Sequence, residues 1–303
     1  MNCYVCNHES FENIMPYRAT PSDDIFQGCE VIRCKKCGLN QINKVFTEPQ
    51  IKEYYVNQYD RDKIYNIDLS QFPNDNLFSV SRGRALAKLY NNTTTQQRPE
   101  TILDLGCGFG HLLFGFNQVF PDARYIGVEY DEKTGDTLKK SGFEFRYGGI
   151  DDIADLNGTI DILITSHVFE HVVEPHVFLE KCIALLKPGG VVLWEMPNLD
   201  VFNLKCERRH SPHICLWDIK TLENILKEHQ LDVLFLDTAG KKYDYIDSLE
   251  QGIIKKIGLT VRNKLQAKQA KVDVLNKDSI GFQLNEYGNN RRNLRVMAQK
   301  KKV

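Results

Sequence analysis

The sequence contains no long run of apolar residues. None of its segments approaches the ~18 consecutive apolar residues that a membrane-spanning helix needs. The first ten residues, MNCYVCNHES, also lack the apolar stretch of a secretory signal. We therefore expect a soluble protein of the cytoplasm.

An excess of charge of either sign is also lacking. The 303 residues include 39 Lys and Arg against 40 Asp and Glu, which gives a formal net charge of -1. A chain with so little net charge has no global field that would attract nucleic acid or an anionic membrane. Its length allows one large domain together with a small one.

The cysteines are present in an odd number, nine. Four of them form two C-x-x-C pairs, Cys3 with Cys6 and Cys34 with Cys37, with 27 residues between the pairs. In a cytosolic chain such pairs indicate a metal rather than disulfides. Gly38, directly after the second pair, suits the positive φ of a metal-binding knuckle.

The spacing predicts a structural zinc site in a small module of the zinc-ribbon type over residues 1–50. A closed Cys₄ site leaves no open coordination position, so a catalytic role is not expected. A rubredoxin-like iron site has the same spacing, and four unrelated free thiols are the remaining alternative. Cys29 and His8 lie nearby in the sequence and are expected to be bystanders.

Residues 51–99 are polar and predicted to be helical. They contain an aromatic patch of Tyr54, Tyr55, Tyr59 and Tyr65. The patch has two interpretations: it packs under the following domain, or it forms a lid over a cofactor at the strand ends.

From residue 100 the pattern alternates between strand and helix. The predicted strands are 101–105, 124–129, 160–165 and 190–196, with a weaker one at 143–147, and the predicted helices are 111–119, 132–141 and 175–187. This alternation predicts an α/β fold with a doubly wound parallel sheet. Ligands of such sheets bind at the carboxyl ends of the strands.

A glycine turn follows the first of these strands. Gly106, Gly108 and Gly110 stand at alternate positions, directly after a buried strand that contains Asp104. A dinucleotide-binding turn is the first alternative, but its G-x-G-x-x-G spacing is not met. Glu129 ends the next strand, where a carboxylate accepts both ribose hydroxyls. These residues together predict an adenosine-containing cofactor without a pyrophosphate.

Five segments carry a family resemblance: LDLGCGFG, YIGVEYD, GGIDDI, DILITSHVFEHVVEP and LLKPGGVVLWEMPN. In this order they resemble the motif series of class I S-adenosylmethionine-dependent methyltransferases. The resemblance implies a Rossmann-like sheet of seven strands and S-adenosylmethionine as the cofactor. With its Cys₄ head, the chain is similar to a subgroup that includes C-methyltransferases of nucleotide-linked deoxysugars.

The resemblance also implies cofactor-binding residues. The methionine part of the cofactor is assigned to Asp104, Gly106, Cys107, Gly108 and Gly110. The ribose is assigned to Glu129, and the adenine to Tyr130, Ile150 and Asp151. Ser166 and His167 are expected to line the cofactor at the end of the fourth strand.

Transfer to a hydroxyl requires removal of its proton, which a positioned base accelerates by about 10²–10⁴-fold. Histidine suits this role, and the candidates are His167, His171, His210 and His213. His213, four residues before Trp217, resembles the histidine-plus-aromatic segment of sugar methyltransferases, which implies that it is the base. The alternative is a structural role, with Pro212 and His213 capping the helix predicted at 219–229.

Substrate contacts are predicted near the end of the fifth strand. Glu195 and Asn198 lie at this edge of the sheet, where a carboxylate can bind substrate hydroxyls. An ion pair is the alternative for Glu195. Trp217 completes the predicted substrate-binding set.

The C-terminal part completes the sheet. Residues 231–237 are predicted as the sixth strand and 293–298 as the last, which the resemblance inserts antiparallel beside the sixth. The methyltransferase domain would then comprise 100–240 and 291–303. The intervening 241–290 is predicted as a helical insertion, which could serve as a lid, a tether or a homodimer contact. Its basic face comprises Lys255, Lys256, Lys264, Lys268 and Lys271.

The leading functional hypothesis is methylation of a small-molecule or glycan acceptor, at a sugar hydroxyl or carbon. Methylation of RNA or protein is the second hypothesis. The near-zero net charge and the lack of an aromatic and basic stripe argue against RNA. A scaffold that binds the cofactor without transferring a methyl group is the third.

Overall fold

The structure, a computed structural model, describes residues 1–20, 24–57, 69–94, 98–206, 209–242, 287 and 291–302. Most of the predicted insertion, with its basic face and its homodimer role, therefore lies outside the described residues. Tyr59 and Tyr65 of the aromatic patch lie outside them as well.

Eleven strands are present in the described residues. They are β1 (Phe11–Pro16), β2 (Glu30–Cys34), β3 (Asn40–Ile42), β4 (Thr101–Leu105), β5 (Arg124–Glu129), β6 (Glu144–Tyr147), β7 (Ile160–Ser166), β8 (Leu186–Pro197), β9 (Cys215–Leu216), β10 (Asp232–Lys242) and β11 (Arg291–Gln299). The α-helices of the same residues are α1 (Glu48–Asn57), α2 (Leu77–Thr93), α3 (His111–Asn117), α4 (Lys133–Lys140), α5 (Pro175–Leu185), α6 (Val201–Cys206) and α7 (Ile219–Glu228). None of these helices combines the length and the apolar character needed to cross a bilayer.

Seven strands form the central sheet, in the order β10-β11-β8-β7-β4-β5-β6. Strand β4 pairs in parallel with β5 and with β7, whereas β11 pairs antiparallel with β8 and with β10. The predicted α/β doubly wound sheet is therefore confirmed, including the antiparallel last strand beside the sixth. The carboxyl ends of β4, β5, β6 and β7 share one edge.

Both faces of the sheet are buried. Along β4, Ile102 packs in a cluster with Leu112 of α3, whereas its neighbour Leu103 packs in a second cluster with Leu179 of α5. Successive side chains of a strand point to opposite faces, so a strand covered by helices on both sides is apolar throughout.

Strand β8 begins earlier than its predicted start at residue 190. Helix α5 ends at Leu185, and the chain enters β8 at Leu186 without a loop. The predicted helix over 175–187 is therefore too long. Pro188 accounts for this, because a proline disfavours the helical conformation of the residue before it.

The N-terminal module is joined to the main domain. Its sheet has the order β1-β2-β3-β9, so the fourth strand comes from residues 215–216. The side-chain amide of Asn40 donates to the Leu199 carbonyl at 3.2 Å, and the Tyr17 hydroxyl donates to the His213 carbonyl at 2.8 Å. One apolar core runs from Val31 of the module to Trp194 of the central sheet.

Candidate functional site

A cavity of about 590 Å³ lies at the carboxyl edge of the central sheet. Gly106 after β4, Glu129 at the end of β5, Ile150 after β6 and His167 after β7 line it. Helix α1 covers another side. The volume falls in the range of about 300–1,000 Å³ that is typical of small-molecule sites.

The glycine turn forms one wall of the cavity. Gly106 has φ +75°, and a Cβ there would lie 2.6 Å from Cγ2 of Val168. Gly110 has φ +87° and precedes α3; its Cβ would lie 2.4 Å from Cδ2 of Leu138. Only glycine fits these two positions without strain, and the backbone itself faces the cavity at Gly106.

Glu129 is buried and held by the backbone. Its Oε2 accepts from the Gly108 amide at 3.0 Å, and its Oε1 accepts from its neighbour's amide, that of Tyr130, at 2.9 Å. Each carboxylate oxygen has two lone pairs, so the group can accept further hydrogen bonds from the cavity side. This arrangement suits a pair of ribose hydroxyls.

Asp104 lies behind the glycine turn and is 2% exposed. Its Oδ1 has no hydrogen-bond partner within the described part of the chain. Burial raises the pKa of Asp104 to about 8; the nearby Arg82 acts in the opposite direction, and the Glu129 charge adds to the rise. An ammonium group on a ligand would satisfy this carboxylate, which fits the methionine part of S-adenosylmethionine.

The predicted adenine side is built around Tyr130. A Cβ at Gly149 would lie 2.3 Å from the Tyr130 hydroxyl oxygen, so this close approach requires glycine. Lys52 of α1 places its Nζ 5.1 Å from the centre of the Tyr130 ring. Asp151, assigned to the adenine amine, instead pairs with Lys181 at 2.6 Å and is largely exposed.

The predicted cofactor residues divide into two groups. Those that line the cavity are Gly106, Glu129, Tyr130, Ile150, Asp151 and His167. Those that lie behind the lining are Asp104, Cys107, Gly108, Gly110 and Ser166. Residues of the second group support the first, as Gly108 does for Glu129.

Arg82 of α2 is a site residue that motif analysis missed. Its Nη2 donates to the Ser166 hydroxyl at 3.1 Å, and its Nε lies 3.4 Å from Oε1 of Glu195. It thereby brings a positive charge to the strand ends beside Asp104. The sequence offered one indication of this role. Arg82 stands between Ser81 and Gly83, both of which are buried where α2 packs against the sheet domain.

Helix α1 connects the N-terminal module to the cavity. Tyr54 is buried, with its ring centre 5.5 Å from that of Phe26 in the module. Tyr55, on the next position, lines the cavity and contacts His171 edge-on at 5.6 Å. The two interpretations of the aromatic patch therefore apply to different residues: one tyrosine packs and the other covers the cavity.

A histidine-rich cluster borders the cavity at His171. Glu170 is 1% exposed; its Oε1 lies 3.2 Å from Nδ1 of His167 and 3.8 Å from Nε2 of His171. The ring centres of His171 and His213 are 5.1 Å apart. The structure thus brings three of the four predicted base candidates together, and of these His167 and His171 line the cavity.

Interactions within this cluster lower the pKa of its carboxyl group, Glu170, and the pKa of two of its imidazoles, His171 and His213. Burial, together with the neighbouring His171, lowers the pKa of His213 to about 3, although the Glu170 charge opposes this. Burial also lowers the pKa of His171, although the Glu170 charge opposes this. For Glu170 burial acts to raise the pKa, but the charges of His171 and His167 outweigh it and bring the pKa to about 2.

His210 has a structural position, which corrects its assignment as a base. The ring is fully buried; its Nδ1 accepts from the Arg18 amide at 3.1 Å, and its Nε2 lies 3.0 Å from the Leu204 carbonyl. Both ring nitrogens are therefore engaged in hydrogen bonds that join the module, at Arg18, to the main domain, at Leu204. Helix α7 is capped by Asp218, so Pro212 and His213 do not cap it.

The three predicted substrate-binding residues are also corrected, because all of them are buried behind the cavity. Glu195 pairs with Arg295 at 2.6 Å. The Asn198 side chain donates to the Arg291 carbonyl at 2.9 Å and joins the end of β8 to β11. Trp217 stacks on Phe169 with ring centres 4.8 Å apart.

The four paired cysteines converge in the N-terminal module. The sulfurs of Cys3 and Cys37 are 3.5 Å apart, and those of Cys6 and Cys34 are 3.4 Å apart. All four sulfurs lie within 4.8 Å of one another. This donor set fits a tetrahedral ion with metal–sulfur distances of about 2.3 Å. Gly38 has φ +85° and closes the second knuckle onto the Cys34 carbonyl.

Comparison with known proteins identifies the family. The sequence profile described as "Methyltransferase domain" matches residues 80–236, more than half of the chain. The chain therefore belongs to this methyltransferase family. The matched range runs from α2 to β10 and includes the glycine turn and the cavity edge.

Individual relatives are similar over shorter lengths. The ubiquinone biosynthesis O-methyltransferase of Caulobacter sp. is 30% identical over 150 residues, which are 46% of this chain and 58% of that protein. Its counterpart in Nitrobacter winogradskyi is 32% identical over 97 residues, 30% of this chain and 36% of that protein. The chain thus spans about half, or less, of the length of the curated relatives it matches.

A solved structure supports the fold. The plantazolicin methyltransferase BpumL, crystallised with a monoazolic desmethylPZN analogue and SAH, superposes with a TM-score of 0.54 at 15% identity. The match covers 83% of this chain and 94% of that one. At this identity the similarity concerns the fold alone.

Proposed function

We propose that the chain is an S-adenosylmethionine-dependent methyltransferase that acts on a small-molecule or glycan acceptor, at a hydroxyl or carbon. The observation that carries the proposal is the buried carboxylate of Asp104 behind the glycine turn, with an oxygen left unpaired within the described residues. Glu129, which lines the cavity, offers an acceptor for a ribose, and Asp104 lies behind the glycine turn on the neighbouring strand, where it could accept from an ammonium group.

The cofactor residues have defined roles in this proposal. Asp104 and the Gly106 backbone would hold the methionine part, Glu129 the ribose, and Tyr130 with Ile150 the adenine. When bound, S-adenosylmethionine supplies a methyl group on a positively charged sulfur. The chain supplies alignment and exclusion of water, to which the cover of α1 contributes.

The charge of the cavity supports a small acceptor over RNA. Its lining includes six acidic side chains, Glu48, Glu129, Asp131, Glu132, Asp151 and Glu174, against three lysines, Lys52, Lys133 and Lys181. A surplus of negative charge disfavours a polyanion at this opening. It favours a neutral or cationic acceptor group and the cationic cofactor.

The four-cysteine cluster is proposed to hold a structural zinc ion. Four thiolates around one point complete the coordination of zinc and leave no position for a substrate. Because the module shares its core with the main domain, the zinc would stabilise the cover of the cavity rather than act in transfer. Iron remains the alternative occupant, and metal analysis of the purified chain distinguishes the two.

Titration calorimetry with S-adenosylhomocysteine, followed by transfer assays, tests the proposed function. We expect binding of one molecule per chain, and transfer from labelled S-adenosylmethionine to sugar or phenolic hydroxyls rather than to RNA or protein. Absence of binding would exclude both enzymatic hypotheses. Binding without transfer to any class of acceptor would favour the scaffold.

A further inference from the structure

We propose that Glu170, His171 and His213 form a divalent-cation site beside the cavity, distinct from the four-cysteine site. One potential ligand atom from each of the three lies within 4.8 Å of the others. Two imidazoles and one carboxylate on a single point form a facial set of ligands that suits Fe²⁺, Co²⁺, Zn²⁺ or Mn²⁺.

Unused lone pairs point to a ligand at this place. Within the described residues, Oε2 of Glu170 and Nδ1 of His213 are both buried and have no hydrogen-bond partner. Buried polar atoms without a partner are rare because they cost about 1–3 kcal/mol each. A cation between the two side chains would remove both deficits.

The surroundings orient the ligands. Nδ1 of His171 lies 3.2 Å from the Pro212 carbonyl, which can only accept, so the proton is on Nδ1 and the lone pair is on Nε2. His167 contacts the other oxygen of Glu170, Oε1, at 3.2 Å. Hydrogen bonds of this kind behind the ligands fix the geometry of metal sites.

The backbone brings His213 to the cluster from a distant segment. Its amide donates to the His210 carbonyl at 3.0 Å, its carbonyl accepts from the Tyr17 hydroxyl at 2.8 Å, and the next amide, of Ile214, donates to the Glu170 carbonyl at 2.8 Å. The ligand set is therefore completed by the contact between the N-terminal module and the main domain.

A cation at this point would lie beside the cavity, which one of its ligands, His171, lines. It would take an acceptor oxygen as a further ligand and lower the pKa of that hydroxyl, so that its proton passes to solvent water before methyl transfer and no protein base is needed. This consequence rests on the proposed function. The cation site itself does not, because its occupancy is measured without methyl transfer.

The test uses the full chain with its cysteine site filled with Zn²⁺, titrated with Co²⁺ in a calorimeter and by visible spectroscopy. We expect one Co²⁺ per chain, with the weak visible bands of nitrogen and oxygen ligands rather than thiolate charge-transfer bands. His213→Gln and Glu170→Gln should weaken Co²⁺ binding more than about tenfold. Binding of S-adenosylhomocysteine by the variants verifies that they are folded.

His229→Ala is the matched control. His176 and His229 form a second imidazole pair, with Nδ1 and Nε2 2.8 Å apart, away from the cavity. Removal of the His229 imidazole should leave Co²⁺ binding unchanged. The proposal is overturned if the wild-type chain binds S-adenosylhomocysteine but no second metal ion, or if His213→Gln binds Co²⁺ as tightly as the wild type. Co²⁺ binding without methyl transfer would instead overturn the proposed function alone.

Discussion

Glu195 and Arg295 form a buried ion pair across the antiparallel strands β8 and β11. Nη2 of Arg295 lies 2.6 Å from Oε2 of Glu195 and its Nε lies 2.9 Å from the same oxygen, with both side chains 1% exposed. Burial acts to raise the pKa of Glu195, but the charges of Arg295 and Arg82 hold the pKa below its usual value. The pair links the last strand of the sheet to the strand ends at the cavity.

Arg295→Met should destabilise the chain by about 3–5 kcal/mol, because it removes the strongest of the charges that stabilise the buried Glu195 carboxylate. Urea unfolding measures this. Lys227→Ala is the control: it breaks the exposed Lys227–Glu223 pair within α7 and should cost no more than about 0.5 kcal/mol. Equal effects of the two substitutions would mean that the buried pair contributes nothing specific.

Gly106→Ala should abolish most of the affinity for S-adenosylhomocysteine. The new Cβ would lie 2.6 Å from Val168, so the turn or the segment after β7 must move where the cofactor is expected. A decrease of about tenfold or more, or ~1.4 kcal/mol, is expected by calorimetry.

Gly142→Ala separates this effect from backbone strain. Gly142 has the same φ of +75°, but no atom of the described residues lies within 4 Å of a Cβ there. It should lose about 1–2 kcal/mol of stability and no affinity. An equal loss of affinity in both variants would show that the glycine turn does not contact the cofactor.

Asp104 predicts a pH dependence of cofactor binding. Its folded-state pKa of about 8 lies above the ordinary value of 3.8, so the free chain holds a proton there at neutral pH. Pairing with a ligand ammonium requires the carboxylate. Affinity for S-adenosylhomocysteine, relative to that of Asp104→Asn, should therefore rise from pH 6 to pH 9. The ratio is used because the ligand's own amino group also titrates at about pH 8.

The raised pKa of Asp104 also predicts how the stability of the chain changes with pH. Because the folded chain holds the Asp104 proton more tightly than the unfolded chain, stability without ligand should decrease as pH rises from 3.8 to about 8. Thermal unfolding of the wild type and Asp104→Asn measures the difference.

For the binding prediction, the outcome that contradicts ammonium pairing is a wild-type to Asp104→Asn ratio of S-adenosylhomocysteine affinities that does not change with pH.

Local patterns were sufficient to predict the central fold. Strand β4 has five buried residues followed by glycines at positive φ, and both features depend on neighbours in the sequence. The predicted strand bounds agree to within about two residues except at two places: β8 begins at Leu186, where Pro188 ended a helix early, and β10 continues to Lys242. The positions of Gly106 and Glu129 at one edge follow from the parallel pairing of β4 with β5, which alternation alone predicts.

Long-range contacts could not be predicted in this way. His210 and His213 are three residues apart, yet one bonds Arg18 and the other lies beside His171. The two histidines have different contacts because residues 209–216 run between the N-terminal module and the main domain. Glu195 looked like a substrate ligand because it ends a strand, and only the pairing of β8 with β11 reveals Arg295 opposite it.

Cys34→Ser should remove the proposed zinc and loosen the cover of the cavity. Cys34 ends β2, whose residues share the core of the main domain, so the unfolding temperature should fall by more than about 5 °C. Cys29→Ser is the control, since Cys29 is buried in the same module but outside the cluster. Metal analysis should show at least one zinc per chain in the wild type and in Cys29→Ser, and one fewer in Cys34→Ser. Retention of full metal content by Cys34→Ser would contradict the four-cysteine site.

His210→Ala should lower stability without changing cofactor affinity. The ring holds the Arg18 amide and the Leu204 carbonyl, and its removal leaves two backbone groups without these partners at a cost of about 2–4 kcal/mol. His213 differs, because its ring lies beside His171, and its contact with the module, from the Tyr17 hydroxyl, is made by its backbone carbonyl rather than by its ring. His213→Gln should therefore reduce methyl transfer far more than it reduces stability, whereas His210→Ala should do the opposite. Urea unfolding and turnover at saturating cofactor measure both quantities. If His210→Ala is as stable as the wild type but has no transfer activity, the structural role is wrong and His210 acts in methyl transfer.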